Sequence, residues 1–139
     1  MKLFNILKNL TKYRSFTWTP TFTWANGDTA PTVANISCQY IKLGAMYYFM
    51  GRFNITAKNT TATNTVLVMS MPFKIAHVSP QTIGQVYSAD ANYAKPLLLR
   101  TSSSRQTVSV VSGIGGDNSS GVLATGYYGF NFVWFKYQS

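Results

Sequence analysis

From Phe16 the apolar residues of this chain fall on every second position. Phe16, Trp18, Pro20, Phe22 and Trp24 alternate with Thr17, Thr19, Thr21 and Thr23. Successive side chains of an extended strand point to opposite faces, so the run predicts a strand with one aromatic face and one hydroxyl face. A helix would scatter those rings around its circumference. Pro20 has no N–H to give to a ladder, which places at least that part of the strand on an edge. Asn26-Gly27-Asp28 then breaks the run.

The same period governs most of the remaining chain. Extended runs are predicted at 33–43, 45–57, 65–71, 85–89, 93–101, 105–112 and 122–137, which with 16–24 makes about eight strands. Ile36, Cys38 and Tyr40 share one face of the second run. Tyr47, Phe49, Phe53 and Ile55 share a face of the third, opposite Arg52, Asn54 and Thr56. Turn residues recur between the runs, and no β-α alternation is present. The chain therefore predicts an all-β fold, a jelly-roll-like antiparallel β-sandwich. At 139 residues it holds one such domain.

The last run is apolar on both parities. Tyr128, Phe130, Phe132 and Trp134 lie on one, Tyr127, Val133, Phe135 and Tyr137 on the other. A strand apolar on both faces is buried on both. In a thin domain another subunit supplies the second cover. The expectation is a homotrimer with Tyr128, Phe130, Phe132 and Trp134 at its interface.

The N-terminus follows a different period. Leu3, Phe4, Ile6, Leu7 and Leu10 fall at helical spacing, with Lys2, Lys8 and Lys12 among the polar positions between them. A short amphipathic helix over 2–14 is marginal alone in water and needs a partner for its stripe. Residues 1–15 are therefore predicted to be a basic adaptor, and 16–139 the β domain. The opening resembles a signal peptide, but Asn5, Lys8 and Asn9 break its apolar run and no small-residue cleavage site comes after it. No apolar stretch is long enough for a membrane-spanning helix.

Charge narrows the chemistry. Twelve Lys and Arg stand against three acids, Asp28, Asp90 and Asp117, with no Glu, for a net charge of +9. Beyond the N-terminal cluster the basic residues are scattered singly, without the basic face and interleaved aromatics that nucleic-acid binding uses. With one His and one Cys, a metal site lacks ligands and acid–base catalysis lacks tuned groups. His77 sits among apolar neighbours with no nucleophile motif beside it. Gly113-Ile-Gly-Gly-Asp-Asn118 lacks the lysine and succeeding helix of a phosphate loop. The sequence thus predicts no enzyme, cofactor or metal. Recognition is expected in the small polar loops 25–32, 58–64 and 113–121, with Asn26, Asp28, Asn59, Asn64, Asp117 and Asn118 as candidate contacts.

One ordered set of segments carries a resemblance. Thr17-Trp-Thr-Pro-Thr-Phe-Thr-Trp-Ala-Asn-Gly-Asp28 leads into Ile36-Ser-Cys-Gln-Tyr-Ile-Lys-Leu-Gly44 and Tyr47-Tyr-Phe-Met-Gly-Arg-Phe-Asn-Ile55. Met69-Ser-Met-Pro72 and Gly126-Tyr-Tyr-Gly-Phe-Asn-Phe132 come next. Over residues 17–137 this order resembles the head modules of tailed-phage fibre, minor tail and head-fibre proteins. The resemblance implies a trimeric sandwich on the particle surface, attached to other virion proteins through residues 1–15 and facing a host glycan or protein. Such heads usually end long fibres; the short basic lead here favours a capsid-mounted head fibre or decoration protein. A secreted carbohydrate-binding module is the alternative, with Trp18, Trp24 or Tyr93 stacking on sugar rings.

Overall fold

The computed structural model describes residues 2–3, 14–76, 81–88, 97–113 and 118–137. The helix expected over 2–14 falls mostly on residues 4–13, outside the described ones. Its last member, Arg14, is instead the first residue of a strand.

Nine strands are present among the described residues: β1 (Arg14–Trp18), β2 (Phe22–Trp24), β3 (Thr32–Leu43), β4 (Met46–Ala57), β5 (Leu67–Ser70), β6 (Thr82–Ser88), β7 (Leu97–Thr101), β8 (Thr107–Ser112) and β9 (Gly126–Phe135). All pair antiparallel in one curled sheet, a half-barrel, in the order β1-β3-β4-β9-β6-β7-β8-β5-β2. The all-β class and antiparallel pairing match the sequence reading. The extra strand comes from Pro20, which splits the first run in two.

The two halves do not stay together. β1 pairs with β3 and β2 with β5, at opposite ends of the sheet. Residues 19–21 carry the chain between those ends, and Ser70 ties the crossing. Its Oγ accepts from the Thr21 N–H at 2.8 Å, its N–H donates to the Thr21 carbonyl at 3.0 Å, and its carbonyl accepts from the Trp18 indole at 3.3 Å. Both halves lie at edges, as the proline requires.

The core fills the inside of the curl. Phe49, Phe53 and Ile55 of β4 meet Tyr128, Phe130 and Phe132 of β9, with Leu67, Met69, Leu97, Leu99, Val108 and Val110 opposite. Phe49 stacks on Phe132 at 4.8 Å and Phe53 on Tyr128 at 5.7 Å between ring centroids. Each buried large side chain contributes roughly 1.5–3 kcal/mol by leaving water. Tyr128 keeps its hydroxyl satisfied on the Ala124 backbone, accepting at 3.0 Å and donating at 2.8 Å.

A bulge lets β3 keep its apolar residues inside. Val33, opposite Ile55, and Cys38, opposite Gly51, have different parity but the same inward sense. The ladder shifts between Ala34 and Ser37, where Asn35 takes a left-handed backbone with φ 52°. One extra residue there reverses which parity faces the core. The expected inward set of Ile36, Cys38 and Tyr40 results from it.

Candidate functional site

Two of the three loops expected to carry recognition meet at one end of the curl, and the described part of the third joins them. Loop 25–32 starts with Asn26, whose Oδ1 accepts from the Asp28 N–H at 3.1 Å, a self-closing turn that short amides favour. The Thr60 hydroxyl donates to Asp28 Oδ2, bringing loop 58–64 alongside. Asn59, with φ 56°, gives its amide to the Ala30 carbonyl at 2.8 Å and to Thr32 Oγ1 at 3.0 Å.

Beneath these contacts the loops are fastened to the core. Trp24, buried, donates its indole N–H to the Lys58 carbonyl at 2.8 Å. The Lys58 ammonium donates to the Ser120 carbonyl, and burial pulls its pKa down. Ser119 and Ser120 are wholly buried; their hydroxyls accept from Leu67 N–H and Thr65 N–H, each at 3.1 Å. That dry serine pair locks residues 119–121 against the start of β5. The sequence marks it only as polar loop, because nothing in a run of serines says which ones are buried.

On top lies a shallow depression of about 540 Å³ lined by Asp28, Thr29, Asn59, Thr60 and Thr61. The Thr60 hydroxyl, and after it the Asn26 side chain, hold the Asp28 carboxyl below its usual range. The surface therefore offers one carboxylate, several hydroxyls and an amide. It can hydrogen-bond a polar partner, and among the described residues that line it Asp28 has no second titratable group to pass a proton to. Asn64 and Asn118 are exposed nearby in sequence, while Asp117 falls outside the described residues. His77, Asp90 and Tyr93 also lie outside them. Among the described residues no cluster of His, Cys, Asp or Glu is fit to hold a metal ion.

β9 is placed differently from its expected role. Tyr128, Phe130 and Phe132 point into the chain's own core, and Trp134 is half-buried with its indole bonded to the Ala76 carbonyl. An intermolecular contact on this strand must use the other parity, where Tyr127, Val133 and Phe135 are 43%, 48% and 47% exposed. Sheet register puts two apolar rungs on that outer face: Leu43, Met46 and Phe135, then Ile41, Tyr48 and Val133.

Of the aromatics expected to stack on sugars, the two described ones are turned to the core. Trp24 is only 2% exposed, and Trp18 packs edge-on against Phe49 and Phe130. Of the residues expected to anchor the N-terminus, Leu3 is exposed, and Phe4, Ile6, Leu7, Lys8, Leu10 and Lys12 lie outside the described residues. No helix among the described residues is long and apolar enough to cross a membrane. Set against protein-family models, curated proteins and solved structures, the chain matches none of them.

Proposed function

We propose that the chain is a non-enzymatic structural component of a virus particle, a head fibre, tail fibre or capsid decoration protein. In this reading a trimeric, jelly-roll-like sandwich is held at the particle surface through residues 1–15. The supporting observation is the convergence of loops 25–32 and 58–64 with residues 118–121 at one end of a stiff scaffold. Polar loops bound to a rigid sheet are how recognition surfaces are usually built. The resemblance of the segment order to phage head modules suggests the setting for that surface. The outward rungs around Met46 and Val133 supply apolar area that association between copies would cover.

The deciding experiment is density for this nine-stranded domain on intact particles, together with light scattering of the purified chain. A trimer mass and surface density are expected. A monomer at micromolar concentration would remove the trimer, and particles that lack the chain would remove the role. Deleting residues 1–15 takes Arg14 and Ser15 from β1, so the cleaner truncation stops at residue 13. It should keep the thermal midpoint within about 3–4 °C, the shift that roughly 1 kcal/mol brings in a chain of this size, and lose incorporation.

A further inference from the structure

A second candidate surface lies away from loops 25–32 and 58–64, on the outer face of the sheet. The rung Ser37, Arg52, Gly129 and Tyr87 crosses β3, β4, β9 and β6 in register. Arg52 is exposed and stands at the junction of two depressions of about 350 and 520 Å³, with Ser37 lining both. Among the described residues no carboxylate lines either one. Among the described residues, then, the exposed guanidinium has no counter-charge.

Tyr87 supplies the second element. It is 57% exposed, yet its position is fixed from below. A Cβ built on Gly129 would stand 2.5–2.6 Å from the phenol end of its ring, so the ring rests on bare backbone where any side chain would lift it. Gly129 is also the partner of Arg52. The Tyr87 ring thus leans over the position next to the guanidinium and leaves its far side open. On the adjoining rung Gln85, Asn131 and Gln39 share the same outward sense, and Asn131 and Gln39 line the depression.

We propose that this outer-face groove binds a carboxylate-bearing pyranose, with Arg52 gripping the carboxylate and Tyr87 stacking against the sugar ring. A planar guanidinium matches a carboxylate with two parallel hydrogen bonds, an open aromatic face suits the apolar side of a sugar, and amides satisfy its hydroxyls. A phosphate would use the arginine and leave the ring and amides idle. A neutral sugar would leave the unopposed charge idle. The net charge of +9 draws such an anion toward the protein as a whole.

The proposal deepens the display reading by naming a ligand class for the displayed domain, and rests on that reading for its biological setting alone. Two sources share the chemistry: sialylated host glycans and uronic-acid polysaccharides. Calorimetric or NMR titration of the full chain with sialyllactose and with tri-galacturonate, against lactose and tri-galactose, separates them. Millimolar or tighter binding of at least one acidic sugar is expected. Arg52→Met and Tyr87→Ala should each weaken it about tenfold or more, the loss expected on removing a charge-assisted hydrogen bond or a stacking face. Lys136→Met removes the same charge elsewhere and should leave affinity unchanged.

Equal binding of neutral and acidic sugars, equal weakening by Arg52→Met and Lys136→Met, or no binding of either acidic sugar would overturn the proposal. A thermal midpoint for each variant shows that it is folded, and Arg52→Lys, which keeps charge but loses the fork, reads the same contact if Arg52→Met does not fold. A chain found on particles that binds no acidic sugar sinks this site alone; a chain that binds but is absent from particles sinks the display role alone.

Discussion

Cys38 and Gly51 face each other across β3 and β4, and they show how little slack the interior has. A Cβ on Gly51 would come within 2.5 Å of the Cys38 sulfur and 2.8 Å of the Phe130 ring. Gly51→Ala should therefore cost about 1–3 kcal/mol through overpacking, read by urea denaturation. Burial pushes the Cys38 thiol up to about 11, against a weaker opposing pull from a backbone hydrogen bond at Arg52. At neutral pH it is a protonated, inert group, and a thiol reagent should label it only as the chain unfolds. Asp28 behaves oppositely. A folded pKa held below the ordinary carboxylate value contributes stability above that value and loses it as pH falls through the folded one. The tie between loops 25–32 and 58–64 should hold at mildly acidic pH and loosen below about pH 4, tracked by NMR shifts of Thr60. At this scale the sequence is informative about sidedness: the inward set of β4 is readable from alternation alone. It is silent on Gly51, because closeness across strands depends on register that the residue's own neighbours do not encode.

Elements are legible where period two runs unbroken and misleading where it is interrupted. The bulge at Asn35 is an example. A short amide tolerates its left-handed backbone, and a β-branched residue does not. Asn35→Gly should be nearly neutral, while Asn35→Val should cost about 1–2 kcal/mol by the same denaturation measurement. Pro20 marks an edge, yet nothing local shows that the two halves serve opposite edges. The rule that a two-faced apolar strand is covered on both sides holds for strands other than the one it was expected to describe. β9 keeps Val133 and Phe135 in solvent, whereas β7 and β8 bury Leu98 and Val111 on the side away from the main cluster. Aromatic rings at both parities look like the stronger signal, but tyrosine tolerates a half-wet surface. The recognition loops are legible by composition, and the serine lock beneath them is not.

For the whole molecule, alternation tells which face each strand turns inward without telling which strand lies beside it. β4 pairs with β9, more than seventy residues on, and β2 with β5 across more than forty. Such distant pairings must close large loops before they gain contacts, so refolding should take milliseconds to seconds rather than microseconds, by stopped-flow fluorescence of the three tryptophans. Association belongs to this scale as well. If the outer rungs join copies, Val133→Asp should give a monomer by light scattering while the core, which Val133 does not touch, keeps its cooperative unfolding.

The crossing at residues 19–21 has a further consequence. Because consecutive strands bound the sheet, its open borders among the described residues are β1 and β2, five and three residues long, and a proline separates them. An open border is where a neighbouring copy would graft itself on, and long flat ones are the usual seeds of fibrils. Beside them, among the described residues, Thr32–Ser37 of β3 runs past the end of β1 with a neighbour on one side only, and the bulge at Asn35 breaks that stretch. Moving the termini to this crossing, by joining the old ends and cutting after Pro20, would unfasten both borders at once and turn a well-behaved solution cloudy.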